Sequence, residues 1–386
     1  MSLSSIQAAQ AKKQIAYSVP LKSGSSSASK PRYLPFGDIA RVLGTIAVVA
    51  GHVCDMVQYS NPTLNEFWIS NFFNSASRWA VPVYIMLSGS LLLDPARAEA
   101  PETFYRKRLA RLGIPIAFWT AFFMLFTVYY LQPHGFNAES HVWKDLALGK
   151  PYAHLHFIFR IAGLYAFTPM FRLFLQHASK QLVALTVVLC LGLSCLNSVT
   201  DGFTGTEESG FIRFVPFIGY YLAGYLLRDK RLSRRSLMGC WLLALGCVFL
   251  LAGGTGLLVE SFGRKLYPSP GYLLYDFVSP VRIALGISVW LIFVNTFNEK
   301  WHASRLSKFI SKWLAPATLG IYLVHPLFRE VLAVHGYDAS LRNFFPDAHA
   351  PWILLGIPLL TLAVYIPSVL LTMLVMRIPY LQKIMV

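Results

Sequence analysis

Long apolar runs separated by short polar gaps fill the chain, at about 36–57, 69–93, 112–131, 152–176, 181–199, 211–228, 237–259, 272–297, 313–334 and 352–377. Each is long enough for an α-helix rising about 1.5 Å per residue to cross the roughly 30 Å hydrocarbon layer of a bilayer. The pattern predicts an all-α integral membrane protein, a bundle of about ten transmembrane helices forming one domain over residues 33–386. Residues 1–32 are polar and serine-rich, without the apolar core of a cleaved signal, and are expected to be a disordered cytoplasmic tail. Two runs fit less well. The run 181–199 follows its predecessor after a very short connection, and 69–93 contains Asn71, Asn74, Ser75, Ser77 and Arg78.

Composition agrees with a membrane protein. The 386 residues are 55% hydrophobic and only 13% charged, with a mean hydropathy of +0.51, whereas a soluble domain carries about 25% charge. A net charge of +16 raises the question of a nucleic-acid partner. The basic residues, however, sit in the short gaps and follow membrane topology, so no nucleic acid is expected. With the N-terminus inside, the inner segments hold 23 lysines and arginines against five in the outer ones, Lys144, Lys150, Arg264, Lys265 and Arg342. By the positive-inside rule both termini are cytoplasmic. Cys54, Cys190, Cys195, Cys240 and Cys247 all fall within apolar runs, form neither a disulfide framework nor a metal-ligand spacing, and read as small buried hydrophobes.

Six arginines lie at or within the runs: Arg41, Arg78, Arg160, Arg213, Arg282 and Arg329. An arginine in hydrocarbon costs at least about 2.5–3.5 kcal/mol on insertion scales, so such residues face a cavity or a partner. Arg213 and Arg329 are near enough to a run's end to snorkel; Arg78, Arg160 and Arg282 are harder to dismiss. Asp38, Asp55 and Asp276 are the nearest carboxylates, so cations exceed anions inside the bundle and an anionic ligand would satisfy the surplus. Pro82, Pro169, Pro216, Pro280, Pro316 and Pro326 interrupt several runs. Such breaks are packing kinks, or they mark an interior cavity onto which the freed carbonyls open.

Arg41 and His52 share the first run. Eleven positions at about 100° each place them only about 20° apart in projection and about 16 Å apart along one helix face. An imidazole so placed can act as a general base on a hydroxyl, and Asp55, three residues on, could orient it; the bland alternative is a histidine hydrogen-bonded to a neighbouring helix. FYRKRLARLGIP crowds Arg106, Lys107, Arg108 and Arg111 at the cytoplasmic start of the third run, where guanidinium forks grip phosphates or anionic lipid headgroups. SRWAVPVYIMLSGSLLL places Arg78, for acceptor binding or structural pairing, ahead of a Ser88, Gly89, Ser90 patch suited to close helix packing. In HLHFIFRIAGLYAFTP, His154 and His156 alternate instead of stacking at i+4, so they are poor helix-borne zinc ligands and no metal is expected. In TLGIYLVHPL, His325 precedes Pro326 and is either locally hydrogen-bonded or a polar wall of the cavity.

These features together resemble the bacterial acyltransferase-3 family of integral membrane O-acyltransferases. The resemblance rests on Arg41 with His52, Arg78 followed by VPVYIMLSG, the R-x-x-R of Arg108 and Arg111, HLHF with Tyr165 and Pro169 downstream, and TLGIYLVHP, and it runs from about residue 33 to 377. It implies transfer of an acyl group from a cytoplasmic acyl-coenzyme A to a hydroxyl of a cell-surface sugar, in a bacterial inner membrane. By that resemblance His52 would be the essential residue, Arg41 would contact the coenzyme, and Arg108 and Arg111 would hold its phosphates; Arg41 and Asp55 join His52 in the expected catalytic set, and Arg106 joins the coenzyme-binding arginines. Arg78, His154, His156, Arg160, Arg282 and His325 are the candidate acceptor-binding residues. Acetyl-coenzyme A is the expected donor, and an exopolysaccharide, another surface glycan or its lipid-linked precursor the expected acceptor. Membrane lipids and other polysaccharide-synthesis proteins are the expected neighbours. The chain departs from the family's usual tryptophan at His156, and its end at Val386 leads to the expectation that the hydrolase-like domain of some relatives is missing. The alternative function is a transporter or flippase of a lipid-linked or acidic saccharide, which also needs a cationic cavity between broken helices, although no inverted repeat is apparent. A scaffold for a polysaccharide synthase would leave the aligned Arg41 and His52 unexplained.

Overall fold

The computed structural model describes residues 34–59, 64–94, 99–136, 141–206, 212–264, 269–297, 299–335 and 352–385. The tail expected over 1–32, together with Lys265 and Arg342, lies outside them. Among the described residues every regular element is helical. The main helices are α1 (Gly37–Tyr59), α2 (Leu64–Ser77), α3 (Ala80–Leu92), α4 (Pro101–Phe126), α5 (His156–His177), α6 (Lys180–Thr204), α7 (Ile218–Leu227), α8 (Arg234–Phe262), α9 (Pro280–Thr296), α10 (Thr318–Val334) and α11 (Trp352–Met376). Tighter turns extend several of them, notably Val215–Phe217 before α7, Pro270–Tyr275 before α9 and Ala315–Ala317 before α10.

Eight helical stretches among the described residues are long and apolar enough to cross a membrane, built on α1, α4, α5, α6, α8, α9, α10 and α11. The other two expected spans differ from expectation. The run 211–228 is shortened to an apolar helix over Val215–Leu227, and 69–93 is split into α2 and α3 at Arg78 and Trp79. The split has a local cause. Pro82 has no N–H to give to the carbonyl four residues back, which is that of Arg78, and its ring crowds that carbonyl. Arg282 of α9 takes up the orphan: its Nε donates to Arg78 O at 2.9 Å, and its Nη1 donates to Tyr275 O at 2.6 Å. The short connection before α6 suffices because Ser179 caps the new helix, its hydroxyl oxygen accepting from Leu182 N at 3.1 Å.

The bundle exposes apolar side chains outward and buries polar ones among its hydrophobic core. On α6, Leu182, Leu185, Leu189, Leu193 and Leu196 recur at helical spacing and are exposed, while Val183, Val187 and Leu191 on the other side are buried. The polar residues that made the second run look weak form an interior face of α2. Ser70, Asn71, Asn74 and Ser75 are all 0% exposed; Asn71 Nδ2 donates to Ala252 O at 2.7 Å, and Ser75 Oγ is 2.9 Å from the Tyr275 hydroxyl. At the centre, α3 lies against α7 with their backbones in contact. A Cβ added at Gly89 would fall 1.9 Å from Tyr221 O, and one at Gly224 would fall 1.9 Å from Met86 O. The small-residue patch read from the sequence is therefore a helix-packing surface.

The end of the bundle where α1 begins is the basic end. Here Arg172 Nε donates to Leu92 O at 2.7 Å, Arg228 Nη1 to Ser90 O at 3.2 Å, and Arg231 Nη1 to Val294 O at 2.9 Å. These bonds tie α5 and the C-terminal end of α7 to the exit of α3, and the segment after α7 to the end of α9, so carbonyls left open at helix C-termini are met by cations.

Candidate functional site

Helix α1 is the spine of a cavity of about 580 Å3. Its lining runs from Asp38 to Asp55, which is about 25 Å of helix. Arg41 and His52 both border it, so the shared face read from their spacing is the cavity face. The remaining wall comes from α2, α3, α4, α5 and the turn before it, the start of α9 with Phe277 ahead of it, and α10 with the turn that leads into it.

At the basic end the cavity is bordered by Arg41, Arg108 and Arg111. Arg41 Nη1 donates to Asp38 Oδ1 at 2.9 Å and its side chain stays 36% exposed. The Arg41 carbonyl accepts from the Tyr84 hydroxyl at 2.5 Å and from the Thr45 hydroxyl at 2.8 Å, which fixes α1 against α3 at this level. Arg108 packs its guanidinium 5.5 Å from the Phe104 ring centroid and 6.0 Å from that of Tyr165, and its Nε is buried without a hydrogen-bond partner. An orphaned guanidinium N–H at a cationic mouth suits a phosphate-bearing ligand. Arg106 is a different case: it is exposed and lies outside the lining. It precedes Arg108 by two positions, about 200° around the helix, whereas Arg111 is only about 60° from Arg108 in projection.

Farther along α1, three imidazoles converge. The ring centroids of His52 and His325 are 5.2 Å apart, and those of His325 and His154 are 5.5 Å apart. They come from α1, α10 and the turn before α5, and only the fold brings them together. His325 Nδ1 lies 2.7 Å from Tyr322 O. A carbonyl only accepts, so Nδ1 carries a proton and Nε2 of the neutral ring is left as an acceptor. That Nε2 is buried without a partner, and so are both ring nitrogens of His154, a residue 2% exposed. An unmet buried polar atom costs about 1–3 kcal/mol. Such atoms gathered beside a cavity mark it as a place for a polar ligand or water. His325 itself stands behind the lining formed by His52 and His154.

Beyond His52 the cavity reaches Asp55, Asn74 and Arg78. Asp55 Oδ1 accepts from Asn74 Nδ2 at 2.8 Å and from Arg78 Nη2 at 3.2 Å, while His52 Nδ1 stands 3.9 Å from Oδ2. The guanidinium of Arg78 also lies 4.1 Å from the Tyr275 ring centroid. Arg282 borders the cavity too, yet its hydrogen bonds go to the carbonyls at the α2–α3 break.

Arg160 is directed elsewhere. With its guanidinium 4.9 Å from the Phe217 ring centroid and 4.5 Å from that of Phe277, it borders a second cavity of about 270 Å3, separated from the first by His156 and Phe277, which line both. Arg329, expected to snorkel, instead pairs with Glu330, whose Oε1 also accepts from the Tyr152 hydroxyl at 2.7 Å. Glu330 is a carboxylate inside the ninth apolar run and was missed among the nearest anions, although the neighbouring arginine in sequence was a signal for it. Tyr84 and Asn74 are also cavity residues that sequence reasoning did not single out as functional. No group of three or more His, Cys, Asp or Glu among the described residues is arranged to hold a metal ion.

The helices and the cavity define a polytopic membrane protein with an arginine-lined mouth and a histidine cluster deeper in one continuous space. The chain belongs to the acyltransferase-3 family: the family model Acyl_transf_3, described as an acyltransferase domain, matches residues 35–377. It is a membrane acyltransferase. No curated protein and no solved structure matches it.

Proposed function

We propose that the chain transfers an acetyl group from acetyl-coenzyme A to a hydroxyl of a surface glycan or its lipid-linked precursor, in a bacterial inner membrane. The observation that carries this is the continuity of the main cavity from Arg41, Arg108 and Arg111 to His52. Phosphates of the coenzyme sit at the arginine mouth, where Arg108 offers an unmet N–H. The acyl end lies about 16 Å deeper, opposite His52.

His52 acts there as the general base. It takes the proton of the acceptor hydroxyl as that oxygen attacks the thioester carbonyl; the carbon–sulfur bond breaks, and the departing thiolate recovers the proton from the imidazole. No net proton enters or leaves. Asp55, anchored by Asn74 and Arg78, places a fixed negative charge on the Nδ1 side of the ring, so Nε2 is the nitrogen that works on the hydroxyl. Holding both substrates in one enclosed space supplies the rest through proximity and exclusion of water.

The test uses membranes containing the protein, radiolabelled acetyl-coenzyme A and a glycan acceptor. Label transfer is expected in the wild type and lost in His52→Ala at equal expression. Undiminished transfer in His52→Ala overturns the assignment of the base. Glycan that is still acetylated without the protein, but accumulates on the inner face, favours transport instead.

A further inference from the structure

The second cavity lies at the end opposite the basic mouth, where α6 ends and α5 begins. Its lining combines three kinds of group. Lys150, Arg160 and Arg213 set three cations against the two carboxylates of Asp201 and Asp276. The Asp201 carboxylate is held at both oxygens, Asn197 Nδ2 donating to Oδ2 at 2.8 Å and Thr206 Oγ1 to Oδ1 at 2.8 Å. Phe217 and Phe277 supply aromatic wall, with the Arg160 guanidinium lodged between them.

A fixed carboxylate retains lone pairs for hydroxyl donors. Clustered guanidinium and ammonium groups select a carboxylate or other anion on the ligand. Aromatic wall accepts the apolar C–H face of a ring whose rim is polar. Hydroxyls, an acidic group and an apolar face occur together in a pyranose that bears a carboxylate. A volume of about 270 Å3 lies just under the roughly 300 Å3 at which drug-sized ligand pockets begin, so it suits one such ring and not a chain. The main cavity is one wall away, since His156 and Phe277 border both spaces and their rings are 6.1 Å apart.

We propose that the second cavity is the acceptor subsite, holding one acidic sugar residue with its carboxylate toward Lys150, Arg160 and Arg213 and its hydroxyls toward Asp201. The acceptor's next residue reaches past His156 and Phe277, which border both spaces, so that its hydroxyl meets the donor beside His52 in the main cavity. The role as acceptor subsite rests on the function proposed above; the binding of an acidic sugar does not.

The experiment therefore measures binding without turnover, on the full chain in phosphatidylcholine nanodiscs. Methyl β-D-glucuronoside is the probe and methyl β-D-glucoside the comparator, with coenzyme A titrated separately. Glucuronoside is expected to bind saturably and about tenfold or more tightly than glucoside, the difference that one charge-assisted hydrogen bond makes. Arg213→Gln and Ser198→Leu, the latter filling the cavity from a residue 4% exposed, are each expected to abolish that preference or the binding itself. If Ser198→Leu does not fold, Arg213→Gln, which changes charge and little volume, carries the test. Equal affinity for the two glycosides, no saturable glucuronoside binding, affinity unchanged in Arg213→Gln, or binding of added phosphatidylglycerol in place of the sugar overturns the subsite. Glucuronoside binding with no coenzyme A binding supports the acidic-sugar site and removes the acyl-transfer function; the reverse result removes the sugar site alone.

Discussion

His52 Nδ1 stands 3.9 Å from the Asp55 carboxylate, beyond hydrogen-bonding distance, while the other carboxylate oxygen is held by Asn74 and Arg78. The aspartate is thus anchored to α2 and the α2–α3 break before it acts on α1. His52→Ala should reduce acetyl transfer by about 10²- to 10⁴-fold, the usual contribution of a positioned base, while coenzyme A binding at the arginine mouth persists. Initial rates and equilibrium binding on the same preparation separate the two.

Asp55 and Arg78 should behave as one unit. Asp55→Asn and Arg78→Gln are each expected to lower transfer, and the double variant to be little worse than the more damaging single one, because each change releases the same contact. A double-mutant cycle on initial rates checks this; additive effects would show that the two residues act separately.

The packing of α3 on α7 yields a paired prediction. Gly89→Ala places a methyl 1.9 Å from Tyr221 O, and backbone cannot yield as a flexible side chain does, so folded protein should be lost. At Gly246 on α8, an added Cβ meets nothing within 4 Å. Gly246→Ala should therefore be neutral or stabilising by about 0.5–1 kcal/mol through helix propensity. Monodisperse yield and thermal unfolding in detergent distinguish the two glycines.

Outside the spans, Glu99 gives a pH-dependent contribution of known sign. Partial burial works to raise its carboxyl, but the Lys107 hydrogen bond at 2.6 Å and the charges of Lys107, Arg172 and Arg108 outweigh it and hold the group below its ordinary value of 4.5. A depressed carboxylate stabilises fully above its unfolded value and loses that contribution as pH falls through the folded one. Wild type should therefore unfold at a higher temperature than Glu99→Gln near neutral pH, and the gap should close as acidification carries the pH through the depressed folded value. Melting temperatures between pH 7 and 3 test the sign.

The helices were legible in the sequence because a bilayer demands uninterrupted apolar length, and α1, α5, α8 and α11 match the hydropathy runs closely. The α2–α3 break was less legible. Pro82 announces a kink, but the arginine that stabilises it lies 200 residues away on α9 and is known only from the fold. Arg41 and His52 could be placed on one face because a single helix carries both. The approach of His154 and His325 to His52 could not, since it depends on how three separate elements pack. Arg106 is exposed and outside the cavity lining; helical angles alone separate it from Arg108 and Arg111, whereas cluster composition does not.

Pro82 and Arg282 also set up a dependency between distant codons. Replacing Arg282 by methionine strips the donor from the Arg78 carbonyl, and each lost bond to a charged group costs about 1.5–3 kcal/mol. Replacing Pro82 by alanine as well restores an N–H where that carbonyl needs one. Pro82→Ala should therefore act as a second-site suppressor of Arg282→Met, so a lineage able to lose the proline first could drift at position 282, and one that keeps it is held to arginine.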